Sequence, residues 1–444
     1  MRRSLLGSLA LLPLLAWGCG AAPDPPPGAA PEPSAADEVA VWLRGQAIET
    51  EHGRVWPTDA DAAESVSLDL YDGTPGVVLF FLHRHRVTDG ADPRDLEDAI
   101  AGADHLLATL PEEAAAPGLY VGVAGVGFTL DEAHRITGEE RFAAGAAQCV
   151  TLLAESATRT ERGITWDGTT DVISGSAGAG LWLLDRSRRA GDRRALSLAG
   201  EVGRALLAAM EPTDRGARWP MAPGYERWMP NFSHGTAGVA YFLLELAEAL
   251  GETEPERATR LRDAAIAGAA HLRAIRGASG LVRHHAPGGE DLFYLGWCHG
   301  PPGTARLFWR LWEVTGDASY RDDVERMANA LRACGLPDAR TPGYWNNVGV
   351  CCGAAGVAAF LDDLGRATGD PRDADLVRRL TEDLVARGTR DTAGLRWVQA
   401  EHRVRPELLV AQTGLMQGAA GVGLWLLRAH AGGEDRLRWP DSPF

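Results

Sequence analysis

The sequence predicts an all-α protein, an α/α toroid in which seven inner and seven outer helices alternate and short β-hairpin arms decorate one end. Three observations carry that prediction. A Gly-x-x-Gly step opens an apolar helical run seven times: Gly73-Thr-Pro-Gly76, Gly122-Val-Ala-Gly125, Gly175-Ser-Ala-Gly178, Gly235-Thr-Ala-Gly238, Gly300-Pro-Pro-Gly303, Gly353-Ala-Ala-Gly356 and Gly418-Ala-Ala-Gly421. Successive first glycines lie 49 to 65 residues apart, which leaves room for two helices and a loop. The run behind each step is apolar on most sides, as in 239–250 and 421–429, and such a helix must be buried. The run after it is amphipathic, with Asp, Glu and Arg on one side. One Gly-x-x-Gly would signify only tight helix packing; seven in register specify a repeat architecture.

The elements follow in chain order. A helix over 35–48 has no inner helix before it and is expected to serve as the outer partner of the seventh inner helix. Outer helices are expected over 192–210, 255–275, 317–334 and 370–388. Inner helices end at Gly138, Gly191, Gly251, Gly316 and Gly369, each followed by Asp or Glu. Glycine there supplies a left-handed C′ position, and the acid favours the start of the next helix. Ile164-Thr-Trp166, Ala217-Arg-Trp219, Leu281-Val-Arg283 and Leu395-Arg-Trp397 read as hairpin arms. Every step sits at the N-terminus of an inner helix, so all seven are expected at one mouth of the barrel.

The N-terminus reads as a separate unit. Arg2 and Arg3 precede an apolar run from Leu5 to Trp17, too short to span a membrane comfortably. Ala16-Trp17-Gly18 before Cys19 resembles a lipobox, so residues 1–19 are expected to be a lipoprotein-type signal peptide with Cys19 the lipidated residue. Residues 20–36, rich in Ala and Pro, form an extended tether, and the toroid occupies 37–444. The expected location is outside the cytoplasm, in the periplasm or at the cell surface, with membrane contact through the lipid alone. Arg2-Arg3-Ser4-Leu5-Leu6 also reads as a weak twin-arginine signal, which would permit metal loading before export.

Composition narrows the chemistry. The 444 residues carry 44 basic and 60 acidic side chains, a formal net charge of −16, and every basic residue is arginine. Without lysine there is no Schiff base with pyridoxal phosphate, no Walker A lysine and no ATP-anchoring lysine of a protein kinase. The acidic balance argues against a nucleic-acid partner. Four steps bear chemically capable residues beside the first glycine: Asp171-Val-Ile-Ser-Gly175, Ser233-His234-Gly235, Trp297-Cys298-His299-Gly300 and Cys351-Cys352-Gly353. Helix N-termini converging there favour anions and support thiolates.

Ser-His-Gly-x-x-Gly, Trp-Cys-His-Gly-x-Pro-Gly and Cys-Cys-Gly-x-x-Gly on a sevenfold toroid closely resemble the lanthionine synthetase C-like family, across residues 35–430. The resemblance implies one zinc ion per chain, held here by Cys298, Cys351 and Cys352. It also implies addition of a thiol across the double bond of dehydroalanine or dehydrobutyrine, which forms a thioether. Three protein ligands with one open position suit a catalytic zinc site. Cys352 stands where the family usually has histidine, which makes the site richer in thiolate. His234 matches the histidine that protonates the enolate, and Asp171 the aspartate that orients it or takes the thiol proton. His299 completes the catalytic set; many bacterial members have Tyr there and eukaryotic relatives His. Tyr294 stands where bacterial members have Arg, so Arg283, with His284 and His285, is expected to supply the cation that binds substrate. Trp297 would wall the site.

The implied partners are a dehydrated peptide or a small thiol, and a dehydratase acting in trans. Rival readings are a disulfide among the three cysteines, a toroid glycosidase using Asp72, Asp171, Glu290 or Asp291, and a non-catalytic zinc binder. Cys149 and Cys334 read as buried, inert thiols.

Overall fold

The computed structural model describes residues 34–111, 116–338, 344–345, 347–400, 403–431 and 437–444. The expected signal peptide, Cys19 and nearly all of the tether lie outside the described residues. Residues 35–444 form one unit. Helix α1 (Ala35–Gly45) is followed by six pairs of an inner and an outer helix: α2 (Thr74–Val87) with α3 (Pro93–Ala108), α4 (Val123–Thr137) with α5 (Glu140–Ser156), α6 (Ser176–Ala190) with α7 (Arg193–Ala208), α8 (Thr236–Leu250) with α9 (Pro255–Ile275), α10 (Pro301–Thr315) with α11 (Ala318–Ala333), and α12 (Ala354–Thr368) with α13 (Ala374–Arg387). The last inner helix is α14 (Ala419–Ala431). Each inner helix packs on the next, α14 packs back on α2, and α1 packs on α14 as its outer partner. The inner ring therefore closes.

The step glycines are steric requirements. A Cβ on Gly125, Gly178, Gly238, Gly303, Gly356 or Gly421 would collide with the carbonyl oxygen six residues earlier, because the entry loop folds back over the first helical turn. The same loops are tied to one another. Tyr71, Tyr120, Ile173, Ser233, Cys298, Cys351 and Met416 each stand two residues before a first glycine, and the N–H of each donates to the carbonyl of the next, at 2.8, 3.0, 3.3, 3.0, 3.0, 2.9 and 2.8 Å, Met416 closing onto Tyr71. A belt of seven backbone hydrogen bonds thus rings the barrel mouth and satisfies loop donors that burial would otherwise orphan.

Gly138, Gly191, Gly316 and Gly369 adopt the left-handed conformation at φ +67 to +74°. Gly251 departs from the expectation: it is right-handed, because the chain continues into a further turn in which Thr253 and Glu254 donate to the Leu250 carbonyl. The side chains of Asp92, Asp192, Asp317 and Asp370 accept from backbone N–H groups at the starts of the elements that follow.

Three hairpins follow outer helices early in the chain: β1–β2 (Ile48–Thr50, Gly53–Val55), β3–β4 (Thr158–Thr160, Gly163–Thr165) and β5–β6 (Glu211–Thr213, Gly216–Arg218). The arm expected at Leu281-Val-Arg283 is absent. Glycines 277, 280, 288 and 289 and Pro287 interrupt that run, Gly277 N–H turns back onto the Leu281 carbonyl, and strand structure moves on to β7 (Phe293–Tyr294), parallel to β8 (Tyr344–Trp345). After α13 come β9–β10 (Thr389–Asp391, Gly394–Arg396) and a further hairpin, β11–β12 (Val398–Ala400, Leu409–Ala411). Trp56, Trp166, Trp219 and Trp397 each end one of the four outer-helix hairpins. Each indole N–H donates to the carbonyl thirteen residues back, on Leu43, Leu153, Leu206 and Leu384, at 2.7–3.2 Å.

The C-terminal segment, residues 437–444, crosses the inner barrel. Trp439 packs on Phe128, Phe444 on Trp309 and Phe360, and Leu437 N–H donates to His83 Nε2. Asp441, fully buried, pairs with Arg306 at 2.9 Å and accepts from the Tyr120 hydroxyl at 3.0 Å.

Candidate active site

Cys298 and Cys351 are consecutive members of the backbone belt, so one peptide hydrogen bond of 3.0 Å fixes their spacing across 53 residues of chain. Cys352 follows directly. Its Sγ lies 3.2 Å from that of Cys298 and 3.5 Å from that of Cys351. All three side chains are buried, and theirs is the one group of three or more His, Cys, Asp or Glu side chains, among the described residues, whose donor atoms come within 4.8 Å of one another. Tetrahedral zinc with Zn–S of about 2.3 Å sets sulfurs about 3.8 Å apart, so the triad fits zinc after a small opening and leaves the fourth position free. Burial pushes the Cys298 and Cys351 thiols well up. Hydrogen bonds from those two thiols, with a further one from Gln417, hold Cys352 well below its ordinary value.

A set of amides braces Cys352. Gln417 Nε2 is 3.5 Å from its sulfur and donates to the Tyr71 hydroxyl at 3.1 Å. Asn347 donates to Gln417 Oε1 at 2.7 Å, and Gln399 donates to the Gln417 carbonyl at 2.7 Å. Trp297 lies buried behind Cys298, with Tyr120 edge-on at 4.9 Å and Phe232 at 5.8 Å between ring centroids.

Beside the thiols, His234 Nδ1 meets Asp171 Oδ2 at 2.6 Å. Asp171 is fully buried, and its other oxygen accepts from Ser174 N–H at 2.9 Å. The carboxylate thus commits the Nδ1 proton and leaves Nε2 toward the half-open mouth. His299 lies 5.7 Å from His234 and is stacked on His284 at 3.8 Å. Tyr294 stands edge-on to both rings. Burial lowers His299 well below the usual imidazole range and His284 to about 3, so both are neutral at neutral pH. Burial pushes Tyr294 up to about 12, against a hydrogen bond from Arg403.

The structure therefore gathers Cys298, Cys351, Cys352, His234, Asp171, His299, Trp297 and Tyr294 around one mouth. The Arg283 carbonyl accepts from Asn231 Nδ2 at 2.7 Å, and its charge helps to lower the exposed Glu290. The cation that reaches Tyr294 is Arg403, which sequence reasoning missed together with Tyr71, Asn347, Gln399 and Gln417. Tyr71 and Gln417 had a readable signal, since they occupy the same step positions as Cys351 and Cys352. Asn347, Gln399 and Arg403 lie outside the steps and had none. Cys149 is buried in α5, where burial pushes its thiol up to about 12, and the Cys334 thiol donates to the Leu331 carbonyl.

A closed double ring of helices with three thiols and an Asp-supported histidine at its mouth defines a candidate metal-binding α/α toroid. The profile of lanthionine synthetase C-like proteins matches residues 64–444, and the chain belongs to that family. Among solved structures it is similar to nisin cyclase, with a TM-score of 0.64 and 14% identity over 91% of this chain and 95% of that one. It is also similar to an α-1,6-mannanase of Salegentibacter sp. HEL1_6 (TM-score 0.48, 12% identity, 89% of this chain and 98% of that one) and to cellobiose 2-epimerase from Bacillus thermoamylovorans B4167 (TM-score 0.45, 14% identity, 69% and 86%). No curated protein sequence matches.

Proposed function

We propose that this chain adds a thiol to dehydroalanine or dehydrobutyrine residues of a peptide and forms thioethers of the lanthionine or methyllanthionine type. The observation that carries the reading is the Cys298, Cys351 and Cys352 triad opening onto the same mouth as the His234–Asp171 pair. Zinc on the three sulfurs would acidify a thiol at the open position and keep its sulfur electron-rich. The chain's own residues do the rest. His234 Nε2 accepts the thiol proton while Asp171 steadies the imidazolium. The sulfur lone pair forms the C–S bond at Cβ, the π pair moves toward the amide carbonyl, and His234 returns the proton to Cα. Nothing leaves, so the addition balances with one proton shuttled. Neutral His284 and His299 place no competing positive charge beside His234.

The test is zinc analysis of the reduced protein followed by thiol addition to a dehydroalanine peptide. One zinc per chain and product formation are expected, both lost in Cys298→Ala. No zinc would overturn the mechanism, and zinc without addition would favour a non-catalytic homologue. Addition of free small thiols in place of a peptide cysteine would favour a role on damaged, dehydrated residues. Of the carboxylates that a carbohydrate reading would use, Asp171 is committed to His234 and Ser174, Glu290 and Asp291 are exposed, and Asp72 is partly buried beside Asp69, where burial raises both. On the leader sequence, we place the protein outside the cytoplasm on a lipid at Cys19. Loss of palmitate labelling in Cys19→Ser tests that placement. A dehydratase acting in trans would supply the unsaturated residues.

A further inference from the structure

Three side-chain amides lead to Cys352, and backbone donors fix which way they point. Gly349 N–H donates to Asn347 Oδ1 at 3.0 Å, and Val348 N–H donates to Gln399 Oε1 at 2.9 Å. An N–H cannot accept, so the oxygens of both amides are identified and their nitrogens face the other way. Asn347 Nδ2 then donates to Gln417 Oε1, and Gln399 Nε2 to the Gln417 carbonyl, each at 2.7 Å. With Oε1 taken, the hydrogens on Gln417 Nε2 go to the Tyr71 hydroxyl at 3.1 Å and to the Cys352 sulfur at 3.5 Å. The Gln417 amide is thus locked, through Asn347, to a backbone donor that no side-chain rotation can reverse. Asn347 N–H also donates to the Cys352 carbonyl at 3.3 Å, so the relay and the sulfur it serves share one loop.

Cys352 is the most open of the three thiols, at 8% exposed against 4% for Cys298 and 3% for Cys351, and so the ligand most open to an electrophile in the mouth. Metal binding removes the thiol protons, and with them the hydrogens shared among the sulfurs. The Gln417 N–H stays. Unlike an imidazole, a coordinated thiolate keeps lone pairs with which to attack carbon, and an amide hydrogen bond draws on them. We propose that Gln417, aimed by Asn347, is a positioning residue that reserves Cys352 as a metal ligand and keeps its sulfur from attacking the unsaturated residue in place of the substrate thiol. The proposal rests on the zinc-dependent thiol-addition reading.

The experiment measures zinc affinity by competition with a chromophoric chelator. It follows ligand reactivity by mass spectrometry of the protein treated with iodoacetamide in excess zinc. Gln417→Leu is expected to raise the zinc Kd about tenfold or more and to speed alkylation of Cys352. In the cobalt-substituted protein, its sulfur-to-metal charge-transfer band moves to longer wavelength. Asn347→Asp, at mildly alkaline pH where the new carboxylate is ionised, removes the donor to Gln417 Oε1 and turns that amide round. It should reproduce all three effects, and the double variant should be no worse than Gln417→Leu alone. Gln399→Leu, whose bonds go only to backbone groups, should lower the melting temperature and leave the cobalt band in place. Unchanged zinc Kd, alkylation and cobalt band in Gln417→Leu overturn the proposal. So do equal changes in Gln399→Leu, which would mark a packing effect. Wild-type protein without zinc overturns the metal reading and this proposal with it. None of these readouts needs turnover: if they hold and no thiol adds to a dehydroalanine peptide, Gln417 keeps its role at the metal and the reaction assignment falls.

Discussion

His234 and Asp171 show what one residue pair contributes beyond proximity. The buried carboxylate fixes which imidazole nitrogen carries the proton, so the accepting nitrogen is the one at the mouth. Asp171→Asn keeps the shape but favours the wrong tautomer. Thiol addition in single-turnover assays is expected to slow by about a hundredfold or more while bound zinc stays stoichiometric. His284 gives a stability prediction. Its folded pKa, lowered to about 3 by burial, lies below the ordinary value of 6.5. Between those values the unfolded chain takes up a proton that the folded chain refuses, so stability falls as pH drops from about 6.5 toward 3. Urea unfolding at pH 7 and pH 4.5 should show a loss of up to a few kcal/mol, and His284→Gln should shrink that difference.

At the scale of elements, the steps were legible because they are local. A glycine is required wherever the entry loop passes over the first turn, and that demand recurs in the sequence as Gly-x-x-Gly. The same demand yields a paired prediction. Gly303→Ala would push against the Trp297 carbonyl, one residue from Cys298, and Gly125→Ala against the Leu119 carbonyl on another part of the ring. Both should lower stability by about 1–3 kcal/mol in thermal or urea unfolding. Gly303→Ala alone should also weaken zinc retention against a chelator. The hairpins show where local reading stopped. Leu281-Val-Arg283 has the apolar pattern of an arm but lacks the tryptophan that pins the others to an outer-helix carbonyl, and glycines flank it.

Residues 35–444 form a ring closed by the first helix and the last residues of that unit. Helix α1 supplies the seventh outer helix, and residues 437–444 lie across the inner helices after the last turn of the ring. Neither end finds its partners until the opposite part of the chain is in place. Asp441 and Arg306 form a buried pair in that closure, and the Tyr120 that Asp441 holds packs on Trp297 beside the thiols. Asp441→Ala leaves Arg306 uncompensated and is expected to cost about 3–5 kcal/mol in urea unfolding. Adding Arg306→Leu to it should recover part of that loss. At the far ends of the inner helices, arginines such as Arg186, Arg310 and Arg428 face carboxylates of the same and neighbouring helices, so the chain's arginines also knit the ring away from its mouth.

By itself the sequence determined the repeat, the alternation of buried and amphipathic helices, the closing role of the first helix and the thiol, histidine and aspartate positions. These depend on local sterics and periodicity, which each repeat spells out again. Only the tertiary structure decided that Cys298 and Cys351 are neighbours on a seven-membered hydrogen-bonded belt, that Gln417, held by Tyr71, braces Cys352, and that Arg403 comes close to Tyr294. It also decided that the C-terminal residues cross the barrel. Each of those contacts joins residues far apart in the chain, and ring closure, which no single segment encodes, sets their distances.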